Sequence, residues 1–209
     1  MHVRGLVIEG YSHTGKTSLI NAIKRKLMND KDAERNIIIL GEHYTQILNL
    51  VNGRLVKLSK EEHLNVLKDR VAMLKQLNRY AIEMGPASRK SRGLFFILER
   101  FHLNHRANFE VENDTKLKQI EDDLIELNAN CVLLKVQTNL EERVQSRSVE
   151  EWLGKSDEDV KKYVETMTEI QDRYIYYSQI SKISTTIINT DEKKWDHYAD
   201  KILNNIKHE

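Results

Sequence analysis

The chain predicts an α/β fold, a five-stranded parallel sheet with helices on both faces, and two observations predict it. Short apolar runs rich in β-branched residues alternate with longer stretches whose apolar residues recur every three or four positions, as buried strands and amphipathic helices do. The first apolar run ends at Glu9, and then come Gly10, four residues, Gly15, Lys16 and Thr17, a complete G-x-x-x-x-G-K-[ST] pattern between a strand and a helix. With 209 residues, 40% apolar and 31% charged, the chain is long enough for one sizeable core.

The elements follow in order. Val3–Ile8 reads as the first strand, and Ser18, Leu19, Ile20, Ala22, Ile23 and Leu27 mark a helix running to about Met28. Asn36–Leu40, bounded by Gly41, suits a strand buried on both faces. Lys60–Met84 carries Leu64, Leu67, Val71, Leu74, Leu77 and Ala81 at helical steps, and Gly85-Pro86 stops it. Ala87–Gly93, with Arg89, Lys90 and Arg92, reads as a solvated basic connector. Leu94–Leu98 is a third strand, Asp114–Leu127 a helix and Cys131–Val136 a fourth strand. Leu140–Trp152 and Asp157–Ile180 read as helices, Thr185–Ile188 as the fifth strand and Lys194–Ile206 as a closing helix.

The loop has a mechanism. Gly10 lets the chain leave the strand through angles closed to other residues, and Gly15 lets the main chain approach a phosphate. Successive N–H groups of Gly10, Ser12, His13, Thr14, Gly15, Lys16, Thr17 and Ser18, with the positive end of the new helix, cradle an anion. Lys16 reaches the outer phosphates, and the Thr17 hydroxyl is placed to ligate Mg2+. ATP and Mg2+ are therefore the expected cofactors. Parallel sheets bind ligands beyond the carboxyl ends of their strands, where two acids stand. Glu99 follows Leu94–Leu98 and is expected to orient the metal; Glu42 follows Leu40-Gly41 and could serve as general base toward a hydroxyl.

These residues resemble a family. Ile8-Glu9-Gly10 with Gly15-Lys16-Thr17 looks like the opening of the deoxynucleoside kinases and thymidylate kinases. Leu98-Glu99-Arg100-Phe101, continuing through Asn104, Arg106 and Phe109, is similar to the E-R-S motif of the first and the D-R-[YF] motif of the second. Leu140–Arg147 is similar to their lid helix. The resemblance implies a P-loop NTPase fold in a single kinase-like domain over 1–209, with a helical lid at about 138–156. It implies ATP-dependent phosphoryl transfer to a nucleoside or nucleoside monophosphate. Glu9 would belong to the opening strand motif, Glu42 would be the base, and Arg100 would sit near the acceptor's reacting group. Arg143 and Arg147 would stabilise charge in the transition state. Phe101 in place of serine, His43-Tyr44 where proline is usual and Val149 where a lid arginine often stands leave the acceptor open. A protein of another class, binding ATP, hydrolysing it slowly and acting through partners, also stays open.

Charge and cysteine usage narrow the setting. A formal charge of +1 gives no electrostatic reason for a nucleic-acid partner. Cys131, the one cysteine, excludes an internal disulfide and reads as a buried thiol. With no signal-peptide core and no stretch of membrane-spanning length, the expected location is cytoplasmic, with no membrane partner. The expected partner is a small nucleoside or nucleotide acceptor, and a homodimer is allowed. His102 and His105 lie three apart but lack a third metal ligand, so they are expected at the surface or in the acceptor pocket. Tyr44 and Phe109 are read as packing more than base stacking, and Tyr174, Tyr176 and Tyr177 as packing.

Overall fold

The computed structural model describes residues 3–31, 33–34, 36–84, 93–147 and 156–207. The chain runs β1 (Val3–Glu9), α1 (Lys16–Asn29), β2 (Asn36–Leu40), a 3-10 turn (Glu42–Tyr44), β3 (Leu48–Val51), β4 (Arg54–Lys57) and α2 (Lys60–Met84). It continues with β5 (Leu94–Glu99), α3 (His102–Phe109), α4 (Thr115–Glu126), β6 (Ala129–Lys135) and α5 (Leu140–Arg147). The last elements are α6 (Asp157–Ile180), β7 (Thr185–Asn189) and α7 (Trp195–Lys207). Five strands form one parallel sheet in the order β2-β5-β1-β6-β7.

Alternation along the central strands divides the core in two. Leu6 and Ile8, Phe95 and Ile97, and Val132 and Leu134 face α1 and α7. Val7, Phe96, Leu98, Cys131 and Leu133 face α2, α3, α4 and α6. Both faces of β1 and β5 are therefore dry, which is why their sequences are continuously apolar. β2 departs from the expectation for Asn36–Leu40. It is an edge strand, and Ile37 to Leu40 are only half-buried, because no strand among the described residues pairs with its outer side. Cys131 is buried, as expected, and burial pushes its thiol up.

The order places β1 between β5 and β6, so the chain leaves β1, crosses past β5 to β2 and returns. The crevice that this reversal opens beyond the strand ends is where open α/β sheets take ligands. Gly10–Thr17 follows β1 directly into it, and Glu99 closes the neighbouring β5. This is the P-loop NTPase fold.

One element has no counterpart in the sequence reading. β3 and β4 form a two-stranded antiparallel hairpin between the Glu42 turn and α2. Its turn is Asn52-Gly53, both at positive φ (50° and 74°), the dipeptide that favours a tight hairpin. Of its apolar residues, Leu48, Leu50 and Leu55 share one face and Val51 and Val56 the other, and all are exposed. The helix expected over Leu140–Trp152 is described as far as Arg147, and the rest of the proposed lid, with Val149, lies outside the described residues apart from Ser156. The connector carrying Arg89, Lys90 and Arg92 also lies outside them. Among the described residues no helix is long and apolar enough to cross a membrane.

Candidate functional site

The loop after β1 is shaped by two glycines. Gly10 has φ +137° and Gly15 φ +90°, both in the left-handed half of the map. A Cβ on Gly10 would lie 2.9 Å from the Leu134 carbonyl oxygen, and one on Gly15 would lie 2.1 Å from the Trp195 ring. Gly15 is also the N-cap of α1, and no side chain caps that helix. The first N–H groups of α1 therefore have no side-chain acceptor and are open to one from outside the helix. Ser12 is half-buried, while Thr17 and Ser18 are exposed at the mouth of the loop.

Lys16 is 5% exposed, with Nζ donating to the Tyr11 carbonyl at 2.9 Å. Burial lowers its pKa to about 7, helped by the Arg100 charge and opposed by Glu99, Glu42 and Glu9. Thr14 donates to the same Tyr11 carbonyl at 3.0 Å, closing the loop on itself. His13, at φ 68°, lies with Nε2 3.3 Å from the Tyr163 hydroxyl on α6. The loop's other flank is held from behind. Thr190, after β7, donates to the Thr14 carbonyl at 2.9 Å.

Arg143 completes that flank. Its guanidinium donates to the Thr190 hydroxyl at 3.1 Å, to the Thr190 carbonyl and to the His13 carbonyl at 3.4 Å. Buried and bonded to main-chain oxygens, it ties α5 to the loop. The Arg147 side chain lies outside the described residues. A cavity of about 380 Å³ opens beside the loop, lined by Gly15, Thr17, Ser18, Arg143, Lys193 and Trp195.

On the other flank the strand-end acids meet Arg100. Arg100 Nε lies 3.1 Å from Glu42 Oε2, and its Nη2 donates to the Ser12 hydroxyl at 3.2 Å. Glu99 is 7% exposed, and its Oε2 accepts the Glu42 N–H at 3.3 Å. Thr45 donates to the Glu99 carbonyl, so the turn bearing Glu42 is stitched to the end of β5. The structure thus brings Ser12, Glu42, Glu99 and Arg100 to one side of the loop. Thr17 and Glu99 offer hard oxygen atoms that fit Mg2+. Among the described residues no cluster of three histidine, cysteine, aspartate or glutamate side chains forms a metal cage. A magnesium ion here would need phosphate oxygens and water to complete its shell.

Three residues behind this site were misplaced or passed over by sequence reasoning. His102 and His105 are neither surface nor pocket residues; both are fully buried. His105 Nδ1 faces His63 Nδ1 at 2.9 Å, and His63 Nε2 lies 2.7 Å from the Thr45 carbonyl. Burial lowers all three imidazoles, His102 to about 4 and His105 to about 3. Phe109 packs on His63 and His105, while the Tyr44 ring is exposed. Tyr174 and Tyr177 are core residues as expected, but Tyr176 is exposed and donates to Glu112 at 2.6 Å. Arg106 is also core, bonded to both Glu121 oxygens at 2.9 Å. No signal within the sequence pairs residues so far apart.

No family profile matches the chain, and no curated protein matches it. Among solved structures, YorR from Bacillus subtilis, crystallised in complex with phosphorylated GDP, aligns with 97% of this chain and 95% of its own. The TM-score is 0.56 and the identity 14%, a likeness of fold.

Proposed function

We propose that this protein is an ATP-dependent kinase of nucleosides or nucleoside monophosphates, with the donor phosphates on Gly10–Ser18 and the acceptor beside Glu42 and Arg100. One observation carries the reading: the Arg100 guanidinium contacts Glu42 on one side and Ser12 of the loop on the other. An acid, a cation and a phosphate cradle therefore converge on one point. YorR was crystallised with a phosphorylated nucleotide, which supports a nucleotide ligand on this fold.

The chemistry follows from the parts. Lys16 and the open N–H groups of α1 neutralise the outer phosphates, and Arg100 sits where charge develops as the bond to the transferring phosphorus changes. Thr17 and Glu99 would hold a magnesium ion, which would supply positive charge to the phosphates. An acceptor hydroxyl oxygen forms a bond to the terminal phosphorus while the bond from that phosphorus to the bridging oxygen breaks. ADP leaves, and the hydroxyl proton passes to the Glu42 carboxylate.

Glu42 and Arg100 also favour one acceptor class. A phosphate placed at Arg100 would compete with the Glu42 carboxylate already there, whereas a hydroxyl needs that carboxylate. The nucleoside branch is accordingly the stronger one. Incubation with ATP, magnesium and a panel of nucleosides and monophosphates tests it. Phosphorylation of a nucleoside is expected, and ATP binding without any phosphorylated acceptor would overturn the kinase reading in favour of slow hydrolysis.

A further inference from the structure

We infer that Glu9 is a positioning residue for Arg100: its carboxylate, reaching across from β1, serves as the missing N-terminal cap of α3 and so fixes where Arg100 points. The inference rests on the proposed transfer reaction only for its consequence in catalysis.

The geometry is specific. α3 begins two residues beyond β5, and its N-cap residue is Phe101, which has no side-chain oxygen to offer. Phe101 and Leu103 are both fully buried, so water cannot reach the N–H groups that a helix start leaves unpaired. Glu9 Oε1 accepts both, from Phe101 at 3.0 Å and from Leu103 at 2.9 Å. Caps ordinarily come from the residue that starts the helix. Here the cap comes from a neighbouring strand 92 residues earlier.

Arg100 is the hinge of this turn. Its N–H makes the last ladder bond, to the Ile8 carbonyl at 3.1 Å, and its own backbone then turns left-handed at φ 56°. A non-glycine residue holds that conformation only where its surroundings impose it. On one side Arg100 is fixed by β1 through Ile8, and on the other by the capped first turn of α3, again through β1. Release of the cap frees the second constraint, and the guanidinium loses its register with Ser12 and Glu42.

Burial also gives Glu9 a readable identity. It is fully buried, Oε2 has no partner among the described residues, and Oε1 lies 3.6 Å from His102 Nδ1. The two hydrogen bonds that this buried carboxyl accepts are both from the start of α3.

The test compares Glu9→Gln, which keeps an oxygen for both N–H groups, with Glu9→Leu, which offers none. Glu9→Asp, one methylene shorter, stands in for the leucine variant if that chain does not fold. Three readouts are taken on the intact protein: amide exchange at Phe101 and Leu103, phenylglyoxal labelling of Arg100 by mass spectrometry, and acceptor turnover. Loss of the cap should accelerate exchange at both amides by roughly tenfold or more, as expected for unpaired buried donors. Arg100 labelling should rise, and acceptor kcat should fall roughly tenfold with KM for ATP within about twofold, the pattern of a group acting on one side of the site. The glutamine variant should restore all three toward wild type. Unchanged Arg100 labelling in a folded leucine or aspartate variant, or equal losses with glutamine and leucine, would overturn the assignment. Wild-type protein that phosphorylates no acceptor would overturn the kinase reading instead, while exchange and labelling still decide the role of Glu9.

Discussion

The loop from Gly10 to Ser18 and the segment from Glu42 to Lys57 flank the same strand ends, yet they are held by different means. The loop is anchored from several sides: Lys16 and Thr14 on the Tyr11 carbonyl, Thr190 and Arg143 on its main chain, and Trp195 against Gly15. The other segment is fastened at its root, through Thr45 to Glu99 and His63, and then runs out into a hairpin whose leucines face water. A two-stranded hairpin with no partner sheet adds little stability of its own. The loop is thus held in one geometry, whereas the other segment joins a fixed pair, Glu42 and Arg100, to an arm that packs on no core.

Mutations should separate the two sides. The largest effect belongs to the loop: Lys16→Ala should lower transfer by roughly a thousandfold while the circular dichroism spectrum is unchanged, since the proposed reaction puts the lysine on developing charge. Retained turnover would show that the loop does not hold the donor. Glu42→Gln should lower nucleoside phosphorylation by about a hundredfold, within the range for a general base, and leave monophosphate turnover nearly intact. Equal loss on both acceptors would make Glu42 structural.

A third comparison uses protons. Lys16 titrates near 7 when folded and 10.5 as a free lysine, so between those values the unfolded chain holds a proton that the folded chain does not. Stability of the ligand-free protein should therefore rise with pH from 7 toward 9, where Cys131 begins to act in the opposite sense. Lys16→Met should flatten that rise in a series of thermal melts; an unaltered slope would show that the ammonium is not buried at a cost. The smallest effect belongs to the hairpin. Leu50→Thr with Leu55→Thr should shift stability by less than about 0.5 kcal/mol in denaturant titrations, because both side chains are already in water. A larger loss would mean that something covers that face in solution.

The same contrast explains what the sequence could disclose. Gly10 to Thr17 is continuous, so its glycine spacing and the turn between β1 and α1 are legible from pattern alone. The strands of the sheet are legible because burial on two faces demands unbroken apolar runs, and β2 misleads because its isoleucines serve an edge. The hairpin carried a local sign in Asn52-Gly53, but Leu48, Leu50 and Leu55 point to no core and so leave no periodic trace of burial. The helix bearing Arg143 is legible from its sequence, but the bonds of its guanidinium are not, since Thr190 and His13 lie 47 and 130 residues away. Glu9 looked like part of a strand motif; only the fold shows which helix it reaches.

The facing histidines have one more implication. A carbonyl oxygen only accepts, so the Nε2 of His63 must carry hydrogen toward Thr45, leaving its Nδ1 bare. The hydrogen between the two rings then belongs to His105, and there is room for one alone. Any second proton arriving on that axis sets two donors nose to nose. A proton taken up on His63 Nδ1 would break this link between α2 and α3, burial of both rings works against that protonation, and the turn that bears Glu42 is moored to the same histidine through Thr45.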